Sequence, residues 1–147
     1  MDTETYEKVY TITDYYDGIR SGIADFRGVP HYYECPLNDN HQGYADYFLL
    51  RPIDEETFNL ALEDWDIWGR WFESLQAHET TQETHPALPQ DRERHNMIKS
   101  VLSEQLVVDY DRDLRAQANF RPISGGYAGS PTGTFEVNWR VISDGST

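Results

Sequence analysis

The chain has one cysteine and no long apolar run. Because Cys35 is the only thiol among 147 residues, an internal disulfide is excluded. No apolar stretch approaches the roughly 20 residues that a membrane-spanning helix needs. The first seven residues, Met-Asp-Thr-Glu-Thr-Tyr-Glu, are acidic where a secretory signal would be basic and then apolar. We therefore expect a cytoplasmic protein that does not associate with membranes.

Lysine is scarce, and common enzyme motifs are missing. Only Lys8 and Lys99 are lysines among the 12 basic residues, and the rest are arginines. Because arginine forms fixed bidentate pairs better than lysine, we expect some arginines to act as structural clamps. The sequence has no Cys-x-x-Cys or His-Glu-x-x-His pair, Gly-x-Ser-x-Gly elbow, P-loop or dinucleotide fingerprint. The glycine-rich segment 124–130 lacks a P-loop lysine and is interpreted as a flexible connection. No cofactor is expected.

Acidic residues are abundant. The 26 Asp and Glu residues outnumber Lys and Arg and give a formal net charge of −14. Such a field repels phosphate backbones, so direct binding to nucleic acid is disfavoured. It favours association with basic surfaces and also favours solubility. Mimicry of nucleic acid by an ordered array of carboxylates is a less favoured interpretation of the same charge.

The β-structure is predicted mainly from the first fifty residues and the C-terminal part. Asp17-Gly18 and Arg27-Gly28 are turn signals between segments rich in β-branched and aromatic residues. The predicted strands are residues 8–13, 19–26, 29–35, 44–50, 118–123 and 135–142. In the last strand Phe135, Val137, Trp139 and Val141 alternate with polar residues, so they are predicted to point inward and to close the sheet.

A long helix is predicted over residues 54–76 and contains three of the four tryptophans. Asp54 is a suitable N-cap, and acids follow it in the first turn. At about 100° per residue, one broad apolar face includes Phe58, Ala61, Leu62, Trp65, Trp68, Phe72 and Leu75, and Leu60, Ile67 and Trp71 extend it on one side. We predict that this face belongs to the core.

A second helix is predicted to follow Pro89, with Ile98, Val101, Leu102, Gln105 and Leu106 on one stripe. A short helix or turn is also possible at 111–117. The predicted fold is α+β: a curved antiparallel sheet of five or six strands packed on the long Trp-rich helix, with the second helix alongside. The whole chain, residues 1–147, is predicted to form a single domain.

The segment around the first predicted hairpin is a candidate ligand site. Tyr15 and Tyr16 are able to stack on a planar group, and Arg20 is able to hold a phosphate or carboxylate, with Asp17 beside them. The alternative is an ordinary hairpin whose turn is Asp-Gly and whose tyrosines pack across strands. We favour the hairpin, because turn chemistry explains most of these residues.

His31 and Cys35 form a second candidate, as metal ligands or as a nucleophile with its base. On a strand these two residues share a face. A third metal ligand would have to come from His41, His85 or His95. An ordinary strand with a buried thiol is the favoured interpretation.

Asp64 is the third candidate, because it projects into the apolar arc of the long helix beside Leu60, Trp68 and Trp71. A carboxylate near indoles has a raised pKa unless a cation pairs with it, and such groups occur in active sites. The alternative is that Asp64 pairs with an arginine or accepts a hydrogen bond from an indole.

Three functions follow from these patterns. The favoured one is a small, non-catalytic acidic protein that binds a basic protein partner, as an inhibitor, immunity or counter-defence factor does. The second is a protein that binds a small molecule or nucleotide in a tyrosine-rich sheet pocket, with Tyr15, Tyr16, Asp17, Arg20, His31 and Asp64 as candidate ligand-binding residues. The third is a small hydrolase built around Asp64, His31 or Cys35.

Overall fold

A computed structural model describes residues 5–38, 43–124 and 134–143. Its strands are β1 (Glu7–Tyr15), β2 (Ile19–Phe26), β3 (Val29–Glu34), β4 (Phe48–Pro52), β5 (Leu114–Ser124) and β6 (Thr134–Ser143). Its α-helices are α1 (Glu55–Gln76) and α2 (Arg92–Gln105), with short 3₁₀ turns at Gln82–Thr84 and Pro89–Asp91. The predicted α+β class with an antiparallel sheet is confirmed, whereas the packing of that sheet on the long helix stays a prediction.

The chain clusters into two compact units. The barrel unit comprises Met1–Ile53 and Val108–Thr147, and the helical unit comprises Asp54–Val107. All six strands belong to the first unit, and both α-helices belong to the second. The single domain predicted from the sequence stays a prediction, because a compact unit is not by itself an independently folding domain.

The sheet of the barrel unit is closed. Each strand pairs antiparallel with the next along the chain, and β6 returns to β1 through the pairs Glu7↔Val137 and Lys8↔Glu136. Closure pairs the strands that would otherwise be the edges of the sheet. The last strand therefore does close the sheet, as its alternating pattern predicts.

Four aromatic side chains from successive strands pack together in the barrel unit. They are Tyr33 of β3, Phe48 of β4, Phe120 of β5 and Trp139 of β6, and every pair has ring centroids 5.6 to 5.9 Å apart. The tilted and edge-on geometries are those that aromatic quadrupoles favour. Tyr33 and Phe48 of this cluster are buried, so aromatic rings supply part of the packing between strands.

Gly22 of β2 permits a close approach between strands. A methyl group there would lie 2.1 Å from the Thr11 carbonyl oxygen and 2.6 Å from the Tyr33 hydroxyl. The Tyr33 hydroxyl occupies this space and donates a hydrogen bond to the Thr11 carbonyl oxygen at 2.8 Å. Glycine is therefore required at this position.

Two predictions about the β-structure are corrected, and the structure decides between two alternatives at residues 111–117. The fourth strand begins at Phe48, and Tyr44 forms an isolated bridge with Leu37 before it. Of the short helix or turn predicted at 111–117, the turn is found: residues 110–112 form a turn in which the Asp109 carboxylate accepts hydrogen bonds from the Asp111 and Arg112 amides, and β5 begins at Leu114. Val141 is 38% exposed, so the inward alternation of β6 ends before it.

In the helical unit, α1 begins as predicted, with the Asp54 side chain accepting from the Thr57 amide at 2.8 Å. The apolar core of the unit consists of Ile67 of α1, Ile98 of α2 and Ala87, which precedes α2. Leu60 and Leu102 pack against these three residues. Along the described part of the chain, no helix is long and apolar enough to cross a membrane.

The burial of α1 corrects the predicted apolar face. Trp71 is only 3% exposed, and Ile67 is buried beside it, whereas Trp65 and Trp68 are half-buried. The rings of Trp65 and Trp68 stack at 5.1 Å, and Phe72 continues the stack at 5.1 Å from Trp68. Burial is deepest on the flank that contacts α2. Helical periodicity predicts the width of an apolar face but does not predict which part of that face is covered.

Candidate functional site

Arg20 binds the turn between β1 and β2. Its Nε atom donates to the Tyr16 carbonyl oxygen at 2.8 Å, and its Nη2 atom donates to the Asp17 carbonyl oxygen at 3.2 Å. Its Nη1 atom lies 3.7 Å from the Cys35 sulfur. All three guanidinium nitrogens thus contact the protein itself. The geometry is that of a structural clamp, as expected for some of the arginines.

The tyrosines beside this turn differ in exposure. Tyr16 is 69% exposed, and Tyr15, at the end of β1, is half-buried. The Tyr16 ring lies 6.3 Å from the Tyr44 ring, whose face is covered by the Arg20 guanidinium at 4.0 Å. The structure therefore brings together Tyr16, Asp17 and Arg20. Their role in binding a ligand stays a prediction.

His31 and Cys35 are not adjacent. His31 lies in β3 and Cys35 directly follows the end of that strand, four positions further on, which corresponds to about 13 Å of extended chain. The His31 ring makes a hydrogen bond with the Val29 carbonyl oxygen at 2.8 Å and packs edge-on against Phe26. Cys35 is buried, and burial raises the pKa of its thiol, an effect only partly opposed by Arg20. The thiolate needed for nucleophilic attack is disfavoured there.

Within residues 5–38, 43–124 and 134–143, no three His, Cys, Asp or Glu side chains are placed to hold a metal ion. His41, considered as a third ligand, lies outside the described residues, as does most of the glycine-rich segment 124–130.

Asp64 pairs with a histidine. The Asp64 Oδ1 atom lies 2.6 Å from the His95 Nδ1 atom, joining α1 to α2 inside the helical unit. The side chains are 26% and 10% exposed, respectively. The pair supplies the compensation that a partly buried carboxylate requires. Sequence reasoning expected an arginine or an indole as the partner, and it considered His95 only as a remote metal ligand.

The neighbouring residues form a second link between the same helices. Arg94 Nε and Nη2 bind the two carboxylate oxygens of Glu63 at 2.5 and 2.7 Å, and this bond lowers the pKa of Glu63. Consecutive acids on α1 therefore meet consecutive bases on α2. No local periodicity indicates this match, because the partners are 31 residues apart.

Positive charge in the helical unit is mostly used internally. Arg70 binds Asp91 through two nitrogens at 3.0 and 3.1 Å. Arg92 Nη2 donates to the Thr84 and Ala87 carbonyl oxygens at 2.6 and 3.1 Å. With the Arg94 pair, three of the four basic side chains of this unit are bound to groups of the same unit.

Exposed carboxylates outnumber paired ones in the helical unit. Three carboxylates bind Arg or His: Asp64 and Asp91 are partly buried, whereas the Glu63 side chain is 41% exposed. The other nine are exposed: Asp54, Glu55, Glu56, Asp66, Glu73, Glu79, Glu83, Glu93 and Glu104. The unit therefore presents an acidic surface to solvent. Such a surface attracts cationic groups and raises their rate of encounter.

An open groove lies between α1 and α2 on this surface. Its volume is about 450 Å³, and it is lined by Glu55, Glu56, Asn59, Leu60, Glu63 and Arg94. It combines carboxylates with one apolar side chain, a composition suited to a cationic group carried on an apolar stem.

Comparison of this chain with protein-family models, with curated proteins and with solved structures finds no match.

Proposed function

We propose that the protein is a non-catalytic binding protein whose helical unit engages a basic protein partner, in the manner of an inhibitor, immunity or counter-defence factor. The observation that carries this proposal is the distribution of charge in residues 54–107. Nine exposed carboxylates face solvent there, while three of four basic side chains are held within the unit. A surface of one sign steers an oppositely charged partner.

The alternatives have less support. A small anionic ligand at the first hairpin would compete with the protein for Arg20, whose three nitrogens contact Tyr16, Asp17 and Cys35. A hydrolase would need a nucleophile near its base, and the Cys35 thiol is both buried and distant from His31 along the strand. Asp64 and His95 form a pair, and within the helical unit that pair links the two helices.

The test compares two variants of equal charge. The first replaces Glu55, Glu56, Glu79 and Glu83 by glutamine. The second replaces four exposed acids of the barrel unit, Asp14, Asp17, Asp46 and Asp111, by asparagine. A partner is captured from cell extract on the immobilised protein at about 50 mM salt and identified, and its dissociation constant is then measured for each variant.

We expect the variant of the helical unit to bind at least about tenfold more weakly and the barrel-unit variant to bind almost as tightly as the wild type. For the wild type, raising salt to about 500 mM should weaken binding steeply, because screening shortens the range of the acidic field. Equal losses in both variants, or an affinity that salt does not change, would contradict the proposal.

A further inference from the structure

The groove between α1 and α2 has one acidic side. Glu55, Glu56 and Asn59 lie on α1 at the end where the helix begins, and Leu60 forms the apolar part of the lining. Glu55 and Glu56 are exposed, and no basic residue follows them on α1 until Arg70. A cationic side chain entering here would meet two carboxylates, and its methylene stem would cover Leu60.

Two exposed apolar side chains lie on α2 on the same flank as Arg94, the α2 residue that lines the groove. Met97 and Val101 lie three and seven residues after Arg94 and therefore share its flank of the helix. Arg94 Nη1 lies 3.6 Å from the Met97 sulfur, which places the two side chains in contact. Met97 is 48% exposed and Val101 is 36% exposed. A helix in water normally turns such residues toward a core, so this flank has the character of a contact surface.

The charge of Arg94 does not cancel the acidity of the groove. Its guanidinium is bound by both carboxylate oxygens of Glu63. This bidentate contact pairs the charge of Arg94 with the charge of Glu63. Glu55 and Glu56 remain as the charged groups of the lining that are able to attract a cation. Among the described residues no group of three metal-ligand side chains is available, so a side-chain cation fits the groove better than a metal ion does.

We infer that this groove docks an amphipathic basic segment of the partner, with a lysine or arginine between Glu55 and Glu56 and an adjacent apolar side chain on Met97 and Val101. Charge complementarity and the exposed apolar flank together specify this occupant. The inference rests on the proposed function and deepens it, because it assigns the binding of a basic partner to one groove of the acidic surface.

The probe is a synthetic peptide of about 14 residues, four turns of helix, with lysines and leucines on adjoining faces. A shuffled peptide of the same composition places lysine and leucine on all faces. Binding is measured by fluorescence anisotropy, and the contact surface is mapped by amide chemical shifts of the full chain. Two variants divide the quadruple substitution used above: Glu55→Gln with Glu56→Gln, and Glu79→Gln with Glu83→Gln.

We expect the groove variant to bind the ordered peptide about five- to tenfold more weakly, and the Glu79→Gln/Glu83→Gln variant to change affinity less than about twofold. Amide shifts should cluster on the first turns of α1 and around Met97. Met97→Ser with Val101→Ser should weaken binding without changing its dependence on salt, because no charge is removed. Circular dichroism of each variant checks that the helices persist.

The outcomes separate this inference from the function on which it rests. Equal losses in the two double variants, or equal affinity for the ordered and shuffled peptides, would overturn the inference that this groove is the docking site. The proposal that the acidic surface binds a basic partner would still stand. Failure of the Glu55/Glu56/Glu79/Glu83 quadruple variant to weaken any basic ligand would overturn the proposed function itself.

Discussion

The barrel unit and the helical unit use polar groups differently. In the barrel unit the contacts between strands include a cluster of aromatic rings and a close backbone approach, with the Tyr33 hydroxyl at the Thr11 carbonyl beside Gly22. In the helical unit, Glu63, Asp64 and Asp91 join separate elements through ionic contacts. We therefore expect steric fit to contribute most to the stability of the barrel unit, and charge pairing to contribute more to the stability of the helical unit.

The comparison extends to net charge. The helical unit has 12 acidic and four basic residues among residues 54–107, whereas the rest of the chain has 14 and eight. Most of the positive charge of the helical unit is engaged within it, so acidity is concentrated on its surface. Pairing with arginine or histidine, rather than burial, separates the carboxylates that stabilise the fold from those that remain for a partner.

The strongest test of the comparison replaces one glycine by alanine in each unit. Gly22→Ala should lower the free energy of unfolding by about 3 kcal/mol, because the new methyl group would overlap the Thr11 carbonyl and the Tyr33 hydroxyl. Gly69→Ala on α1 has no neighbouring atom within 4 Å and should raise that energy by about 0.5–1 kcal/mol. Urea unfolding followed by tryptophan fluorescence measures both. Losses of similar size in the two variants would remove the contrast between the units.

The Asp64–His95 pair is the next largest expected effect. Asp64→Asn should lower the free energy of unfolding by about 2 kcal/mol, because it weakens a hydrogen bond made to a charged, partly buried carboxylate. A double-mutant cycle with His95→Gln separates the pair from changes in packing. A coupling energy near zero would show that this pair adds nothing to the joining of the helices beyond the Glu63–Arg94 contact and the packing around Ile67 and Ile98.

The smallest expected effect concerns an exposed clamp. Arg70→Lys keeps the charge but loses the bidentate contact with Asp91, so we expect a loss of about 0.5 kcal/mol in the free energy of unfolding. The loss should shrink in high salt, where exposed ion pairs are screened. If Arg70→Lys is as stable as the wild type at low salt, this arginine is not a clamp.

Local sequence signals predicted much of the fold. The Asp17-Gly18 and Arg27-Gly28 turns delimit β2 at the predicted residues 19–26, and Asp54 caps α1 as predicted. These signals depend on neighbouring residues alone, through backbone preference and helix capping. The start of β4 was not predictable, because the bridge between Leu37 and Tyr44 competes with local strand preference. The choice between a helix and a turn at 111–117 depends on hydrogen bonds to the Asp109 carboxylate.

The candidate site was less accessible to sequence reasoning. Asp64 was recognised as an anomaly in an apolar arc, but its partner His95 was not identified. Arg20 is an anion anchor only in the less favoured interpretation of the sequence, and its contacts with Tyr16 and Asp17 depend on how the turn folds back. In both cases the partner is chosen by three-dimensional proximity, which composition and periodicity do not encode.

By itself, the sequence determined the α+β class, the antiparallel strands, the long capped helix and the acidity, because each follows from local periodicity or from counting charges. Only the tertiary structure decided that β6 pairs with β1 in the register Glu7↔Val137, that Trp71 rather than Trp65 is buried, and that Asp64 meets His95. It also decided which carboxylates remain exposed for a partner. These features depend on contacts between residues far apart in the chain, where packing and desolvation select one arrangement among many that the local pattern permits.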